Sequence, residues 1–570
     1  MNTLLKFDLT TAHSSFVHCI DDPTRRERMN TAITSQVPPA GTRRQVAAVA
    51  ATALAALVLA GCSTSSGAST SSAPGDPSAG GDLVIGTYLD PTCIDNQQIG
   101  TNASLSVSRQ LTDSLTEQDP ESGEITPWLA ESWEVNEDSS SFTFVLRDDV
   151  TFSDGSPFTA EVVKENIDAI IALGAQAPVA GPYLAGLKAV TVVDDTTVQI
   201  DFTQPNAQFL QATSNIAMGM VSSATTQLTA DERCAAGVIG SGPFVLKSYA
   251  ANDATVLVKR EGYDWAPTSA THEGDAYLDT ITFQVLPENS VRTGALLSGQ
   301  IDAMDSVQQQ DEASVSSNGF HLLTRANPGF AVSVMFNLKS EAATDPAVRR
   351  AMMMGVNRED VLTVLGPTGA TTPGVLTDTT PGSKDFSEYL AYDPEGASAL
   401  LEEAGWVENA DGIREKDGVA LQFDFPYFFD GPVVELLQQQ YADIGIRLDI
   451  SQITTADFLT ALQSGQFDAT VGNLTRADID VLRSTLTSAG ANWYGMSDAG
   501  LQSLLEAQAG QPDPAARAVT ADEIQTAVLE NAYVVPLHAL AAAYAVRDGV
   551  NDFAFEASTR LNLYDTWVTP

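Results

Sequence analysis

The side chains able to do covalent or acid–base chemistry are few and scattered. Past the first sixty residues only His272, His321 and His538 remain as imidazoles, far apart in the chain. A hydrolase of the serine or metal type announces itself by local spacing, and none is present: no Gly-x-Ser-x-Gly, no His-Glu-x-x-His and, beyond residue 61, no Ser-x-x-Lys. The chain has no Gly-Lys dipeptide and no Gly-x-Gly-x-x-Gly, so it lacks the glycine-rich turns that cradle nucleotide phosphates. Carboxylates are another matter. Glu402-Glu403 and Asp478/Asp480 are pairs that acid–base hydrolysis could use, but with 73 Asp+Glu in 570 residues such pairs arise by chance and read as solvated acids. The cysteines, Cys19, Cys62, Cys93 and Cys234, form no Cys-x-x-Cys and share no metal-ligand spacing with histidine. The chain is expected to be no enzyme, with no cofactor and no metal centre.

Charge narrows the partners. The 29 Lys+Arg stand against 73 Asp+Glu, a formal charge of −44, with no basic cluster in the body of the chain. Neutralising phosphates needs the opposite balance, so nucleic acid is excluded as a partner.

Near the start, Arg43 and Arg44 precede the aliphatic run from Val46 to Ala60, followed by Gly61 and Cys62. A charged segment, an apolar stretch of about 15 residues and small residues at its end describe an export signal. The run falls short of the ~20 residues a membrane-spanning helix needs, and no later stretch reaches that length. Leu59-Ala60-Gly61-Cys62 resembles a bacterial lipobox, which implies cleavage before Cys62 and a lipid on its sulfur. Residues 63–80 are rich in Ser, Thr, Gly and Pro, a composition that stays a flexible tether. Met29 would start a signal of ordinary length, and Thr42-Arg43-Arg44 also resembles a twin-arginine signal. The expected location is outside the cytoplasmic membrane, held by a lipid. In such an oxidising compartment, Cys93 and Cys234 are expected to form a disulfide.

The elements that must position any site alternate between strand and helix. Strands are read at Asp82–Tyr88, Ser141–Leu146, Ile281–Leu286, Ile446–Ile450 and Phe467–Val471. Hairpins are read at Val190–Phe202, turned at Asp194-Asp195-Thr196, and at Phe244–Lys259. Asp345-Pro346 and Asp393-Pro394 open helices as N-cap and first helical residue, and Val433–Ile444 and Thr455–Ser464 read as further helices. The alternation predicts α/β lobes with largely covered sheets, and the length exceeds one core. Trp128, Trp133, Trp265 and Trp406 are read as packing residues.

One stretch carries a resemblance. Phe142-Thr143-Phe144-Val145-Leu146-Arg147, then Phe152-Ser153-Asp154-Gly155-Ser156-Pro157-Phe158-Thr159-Ala160-Glu161, is similar to the signature of the family 5 extracellular solute-binding proteins of ABC transporters, the oligopeptide, dipeptide and nickel-binding group. Further segments match in family order: Ile239-Gly240-Ser241-Gly242-Pro243, Leu278-Asp279-Thr280-Ile281, Leu297-Ser298-Gly299-Gln300-Ile301-Asp302, Asp345 to Ala351, Asn357-Arg358, Tyr392-Asp393-Pro394 through Trp406, and Val534-Val535-Pro536-Leu537. They run from about Gly81 to the C-terminus.

The resemblance implies a two-lobed periplasmic-binding-protein-like α/β fold with the ligand cleft between lobes. Lobe I would span 81–325 plus 527–570, with an extra subdomain near 119–240, and lobe II 326–526. It implies a monomer that captures a peptide or other small solute by hinge closure and hands it to ABC permease subunits with cytoplasmic ATPases. A nickel chelate is an alternative cargo; a surface hydrolase or a sensory lipoprotein on the same scaffold is an alternative of another class. Peptide-binding members hold the ligand ammonium with an aspartate and, in some, its carboxylate with an arginine. The matching stretch here is Asn473-Leu474-Thr475-Arg476-Ala477-Asp478-Ile479-Asp480, followed by Trp493-Tyr494. That gives Asp478 the ammonium, Arg476 a carboxylate or a pair with Asp478, and Trp493 and Tyr494 stacking on peptide planes. Ile479 stands where the family often has proline. Tyr88, Asp90, Gly240 and Ser241 are expected at the cleft edge of lobe I.

Overall fold

The near-continuous apolar run Val534–Val546 is the kind of sequence that a strand covered on both faces requires, and it forms one strand of 13 residues. Its two halves serve different neighbours. Val534–His538 pairs antiparallel with Gly329–Phe336, while Ala541–Val546 pairs with His321–Ala326. Pro536, which has no N–H to give a ladder, sits where the register slips between Val332 and Ser333. Between the two pairings, the amide of Asn327 donates to the Leu540 carbonyl at 2.7 Å. Two chain segments thus cross side by side, 321–336 and 534–546. The structure is a computed structural model that describes residues 76–98, 100–488 and 492–569. The export signal, Met29, Cys62 and the tether up to residue 75 lie outside the described residues.

This crossing strand knits a ten-stranded mixed sheet. On one side lie Gly329–Phe336 and Ala469–Thr475; on the other Ala303–Met304, Asp82–Thr87, Thr280–Val285 and the hairpin Phe244–Ala250/Ala254–Lys259. Asp82–Thr87 and Thr280–Val285 run parallel, in register Asp82 with Thr280. Each side builds its own apolar core. The first gathers residues from Leu83 to Phe283 together with Val546–Val568, and includes a four-stranded antiparallel sheet, Ala130–Val135, Ser141–Leu146, Leu187–Asp194 and Thr197–Phe202, covered by the helix Ala160–Leu173. The second gathers Phe330 to Leu537. Here the structure departs from the sequence boundary at 526/527. The helix Pro514–Glu530 buries Ala521, Ile524, Val528 and Leu529 in the second core, so the chain changes lobe inside the strand Val534–Val546 rather than before it.

Local signals account for the element ends. Thr159 caps Ala160–Leu173 by accepting from the Val162 amide, with Glu161 in the first turn against the dipole. Asp345 and Asp393 cap the helices Pro346–Met354 and Pro394–Glu403, each with proline at the first position. One strand outruns its sequence reading. Ala469–Thr475 extends past Val471 because Leu474 and Thr475 pair with Phe330 and Gly329. A Cβ on Gly329 (φ +117°) would lie 2.3 Å from the Leu474 carbonyl, so that close pairing needs glycine. Cys93 and Cys234 are disulfide-bonded, with Cα atoms 4.6 Å apart.

Candidate functional site

A cavity of about 620 Å³ opens between the two cores. The first lobe contributes Gln118, Ile125, Trp133, Leu210 and Gln211; the second contributes Pro381, Ile479, Asp478, Pro514 and Arg517. Mostly apolar walls with a few convergent polar groups, at this volume, are what a small-molecule site requires. Trp133, read from sequence as packing, is half-buried on the strand Ala130–Val135 and lines this cavity.

Beside the cavity a hydrogen-bond network runs within the first lobe and across to the second. Gln118 Nε2 donates to the Ala477 carbonyl at 2.9 Å, Gln211 Nε2 donates to Gln118 Oε1 at 3.2 Å, and the Tyr183 hydroxyl donates to Gln211 Oε1 at 3.4 Å. Arg476 donates to Gln208 Oε1 at 2.9 Å in the first lobe and to Ser484 Oγ at 2.6 Å in its own. Its guanidinium lies 4.5 Å from the centre of the Tyr183 ring, a cation–π distance. The Ala207 amide donates to the Ala509 carbonyl at 2.8 Å. None of Gln118, Tyr183, Gln208 and Gln211 carries a local sequence signal, because each matters only through what the other lobe brings to it.

Asp478 sits on the cavity wall but is already occupied. Arg517 Nη1 reaches Oδ2 at 2.7 Å and Nη2 reaches Oδ1 at 2.6 Å, and the Asp480 amide adds a bond to Oδ1 at 2.7 Å. Burial by itself would raise this carboxyl, yet the Arg517 charge and these hydrogen bonds hold it below the usual carboxylate range. The expected pairing of Arg476 with Asp478 does not form, because Arg517, on a helix whose sequence gives no hint of it, takes both oxygens. Asp480 is fully buried and gripped by Arg483 at 2.8 Å through both Nε and Nη2, and by Gln508. The two acids thus form separate ion pairs, each with its own arginine.

The remaining sequence candidates are dispersed. Asn473 lies inside the strand Ala469–Thr475, not in a loop after it. Trp493, 38% exposed, borders a depression of the second lobe with Asn337, Lys339 and Asp468. Tyr494 packs edge-on against Phe467, with ring centres 6.2 Å apart, and burial pushes its hydroxyl up to about 12. Tyr88 is half-exposed at the end of Asp82–Thr87, its amide donating to Asp305 at 3.0 Å. Asp90 holds the Tyr249 hydroxyl at 2.6 Å. Gly240 and Ser241 are buried against the chain's own backbone and side chains: the Ser241 carbonyl accepts from Arg260 at 2.9 Å and Trp265 at 3.1 Å, and a Cβ on Gly240 would stand 1.9 Å from the Leu111 carbonyl. Of the tryptophans, Trp128, Trp265 and Trp406 are buried, with their indole N–H groups bonded to the Trp265 carbonyl, Asp113 and Asp345. Among the described residues no group of three or more His, Cys, Asp or Glu is arranged to hold a metal ion. Among the same residues no helix is long and apolar enough to cross a membrane.

Known proteins share this architecture. NikA of Brucella suis, solved with Fe(III)-EDTA, superposes with a TM-score of 0.74 at 23% identity, over 86% of this chain and 100% of that one. The oligopeptide-binding protein AppA of Bacillus subtilis, solved with a nonapeptide, gives 0.70 at 21% identity over 87% and 100%. In sequence, the nickel-binding periplasmic protein of Escherichia coli (strain K12) is 28% identical over 60% of this chain and 66% of its own length. The dipeptide-binding protein of the same strain is 27% identical over 65% and 72%. The glutathione-binding protein GsiB of that strain is 25% identical over 68% and 71%. Residues 124–495 match the family described as "Bacterial extracellular solute-binding proteins, family 5 Middle". With the two cores, the paired crossing segments and the cavity between them, this chain belongs to the family 5 bacterial extracellular solute-binding proteins.

Proposed function

We propose that this chain is the lipid-anchored substrate-binding component of an ABC importer and that its cargo is a short peptide, enclosed in the interlobe cavity and passed to a membrane permease. The observation that carries this reading is the cavity itself: about 620 Å³, walled by both lobes, beside two crossing segments about which the lobes can hinge. Gln118 and Gln211 offer amide groups suited to a peptide backbone, and Trp133, Ile125 and Ile479 offer apolar surface to its side chains. Relatives named for a dipeptide and for glutathione support the same class of cargo. Binding and release need no catalytic group, in keeping with a carboxylate pair already locked by arginines. Cys62, within Leu59-Ala60-Gly61-Cys62, is the anchor in this reading.

The nickel-binding relative favours a second reading, a metal carried inside an organic chelator, since the described residues assemble no ligand set of their own. Native mass spectrometry of the purified mature chain, followed by unfolding and identification of the released molecules, separates the two. A ladder of short peptides supports the peptide importer. A single metal chelate or another non-peptide solute removes the peptide assignment, and conversion of an added peptide library into fragments would move the chain to the hydrolases.

A further inference from the structure

The interlobe cavity is walled to hold a large group without a charge. Trp133 and Leu210 pack against the first core, Ile479 belongs to the second, and with Ile125 they line the cavity from both lobes. The room between them exists because the second lobe sets small residues and prolines there: Ala477, Ala515, Ala518, Pro381 and Pro514. Neither kind of side chain donates or accepts a hydrogen bond, and a proline lacks the backbone N–H as well.

The polar side chains of the lining are already engaged. Among the described residues three charged side chains line the cavity. Asp478 and Arg517 neutralise each other through hydrogen bonds of 2.7 and 2.6 Å, and Arg517 Nε donates to the Gln508 carbonyl at 3.2 Å. Glu124 is exposed, where water and salt screen its charge. Gln118 Nε2 donates to the Ala477 carbonyl at 2.9 Å and to the Gly123 carbonyl at 3.3 Å, and its Oε1 accepts from Gln211, whose own Oε1 accepts from Tyr183. Ser122 and Gln511 are tied to their own turns, by Asp119 and the Asp513 amide. What the two central amides keep in reserve, spare lone pairs and one Gln211 N–H, suits a neutral carbonyl or amide and no ion. An ion moved against such walls loses its water and gains no counter-charge, whereas an aromatic or branched aliphatic side chain gains in proportion to the apolar area it covers.

We propose that this cavity is a side-chain subsite that admits an uncharged, bulky apolar group of the cargo, in a peptide an aromatic or branched aliphatic side chain laid against Trp133, and that excludes a charged one. This rests on the importer reading and deepens it. Selection falls on a side chain rather than on either terminus of the peptide. Trp133, Ile125, Leu210 and Ile479 set the fit, and Ala515 and Ala518 leave the room.

The test uses the mature chain, freed of co-purified solute by unfolding and refolding with its disulfide intact. Calorimetry would compare trialanine with alanine tripeptides that carry Phe, Leu, Lys or Glu at each position in turn. At one position at least, Phe and Leu are expected to bind about 10- to 100-fold tighter than Ala, the range that burying such a side chain supplies, while Lys and Glu bind no tighter than Ala. Ala515 is exposed on the helix Pro514–Glu530 and borders the cavity, so A515F fills it from the chain's own side without disturbing a core. It is expected to bring the Phe-to-Ala ratio to about one and to leave the urea midpoint of the unliganded chain unchanged. W133A is expected to lower that ratio about fivefold; should it unfold, A515F decides alone. Lys or Glu bound as tightly as Phe overturns the subsite and leaves the peptide reading standing. A Phe-to-Ala ratio that survives A515F places the side chain elsewhere and overturns the subsite too. If no tripeptide binds, ligand-observed NMR with benzyl alcohol, an uncharged aromatic, decides. Binding that A515F abolishes overturns the peptide reading and keeps the subsite; binding that A515F leaves intact, or none, overturns both.

Discussion

Arg517 meets Asp478 with both prongs of its guanidinium, at 2.7 and 2.6 Å, on the wall of the cavity between the lobes. The side chain that sequence resemblance singles out for a ligand ammonium is thus paired within the chain, joining the loop after Ala469–Thr475 to the helix Pro514–Glu530. Removing either partner strands the other in a buried site. Arg517→Gln and Asp478→Asn are each expected to cost about 3–5 kcal/mol by urea unfolding, and the double variant less than their sum. Strict additivity would show that the pair is not coupled. Asp478→Asn should also affect free-amine and N-acetylated peptides alike, and selective loss of the free-amine form would return the ammonium role to Asp478.

Asp305 should leave its mark on the pH dependence of stability. Its carboxyl is buried against Arg292 at 3.5 Å and accepts from the Tyr88 amide; burial outweighs both and lifts it to about 7. The folded value lies above an unfolded value of about 3.9, so the folded state binds more protons between the two. Its contribution is fully present below about pH 4, falls by up to ~1.4 kcal/mol per unit as pH rises towards 7, and is constant beyond. The stability difference between the unaltered chain and Asp305→Asn, followed from pH 4 to 8, should therefore decline to about pH 7 and then flatten. A difference independent of pH would place the Asp305 titration outside this window.

Gly240 tests whether its turn is scaffold or ligand site. A methyl group there would meet the Leu111 carbonyl at 1.9 Å, and backbone cannot step aside cheaply. Gly240→Ala is expected to lose about 2–4 kcal/mol of stability while leaving the relative affinities for different peptides as they were. A change in peptide preference without loss of stability would put this turn at the cargo.

The Cys93–Cys234 bond closes a loop with a sequence separation of 141. Chain-entropy arguments give a bond of that span roughly 4–5 kcal/mol. The Cys93→Ser/Cys234→Ser variant should unfold at correspondingly lower urea, and neither thiol should take up label in the unaltered, non-reduced, denatured chain. Labelling of both would remove the bond.

What the sequence settled by itself is local. The hairpin at Asp194-Asp195-Thr196, the Asp-Pro starts at 345 and 393 and the Thr159 cap all form as read, because a cap or a tight turn depends on residues within a few positions of each other. The order of family segments identified the architecture for the same reason: each is a short run whose turn or cap chemistry survives being read alone. Only the tertiary structure decided where the strand Ala469–Thr475 ends, since its last residues are held by Gly329 across the sheet. It alone turned Trp133 towards a cavity and gave Asp478 to Arg517 instead of Arg476. It also moved the lobe change into the middle of Val534–Val546. In each case the deciding partner lies far along the chain, in another lobe or on another strand. Coulomb and packing energies depend on distance in space, which sequence separation does not encode until the crossing segments have brought the lobes face to face.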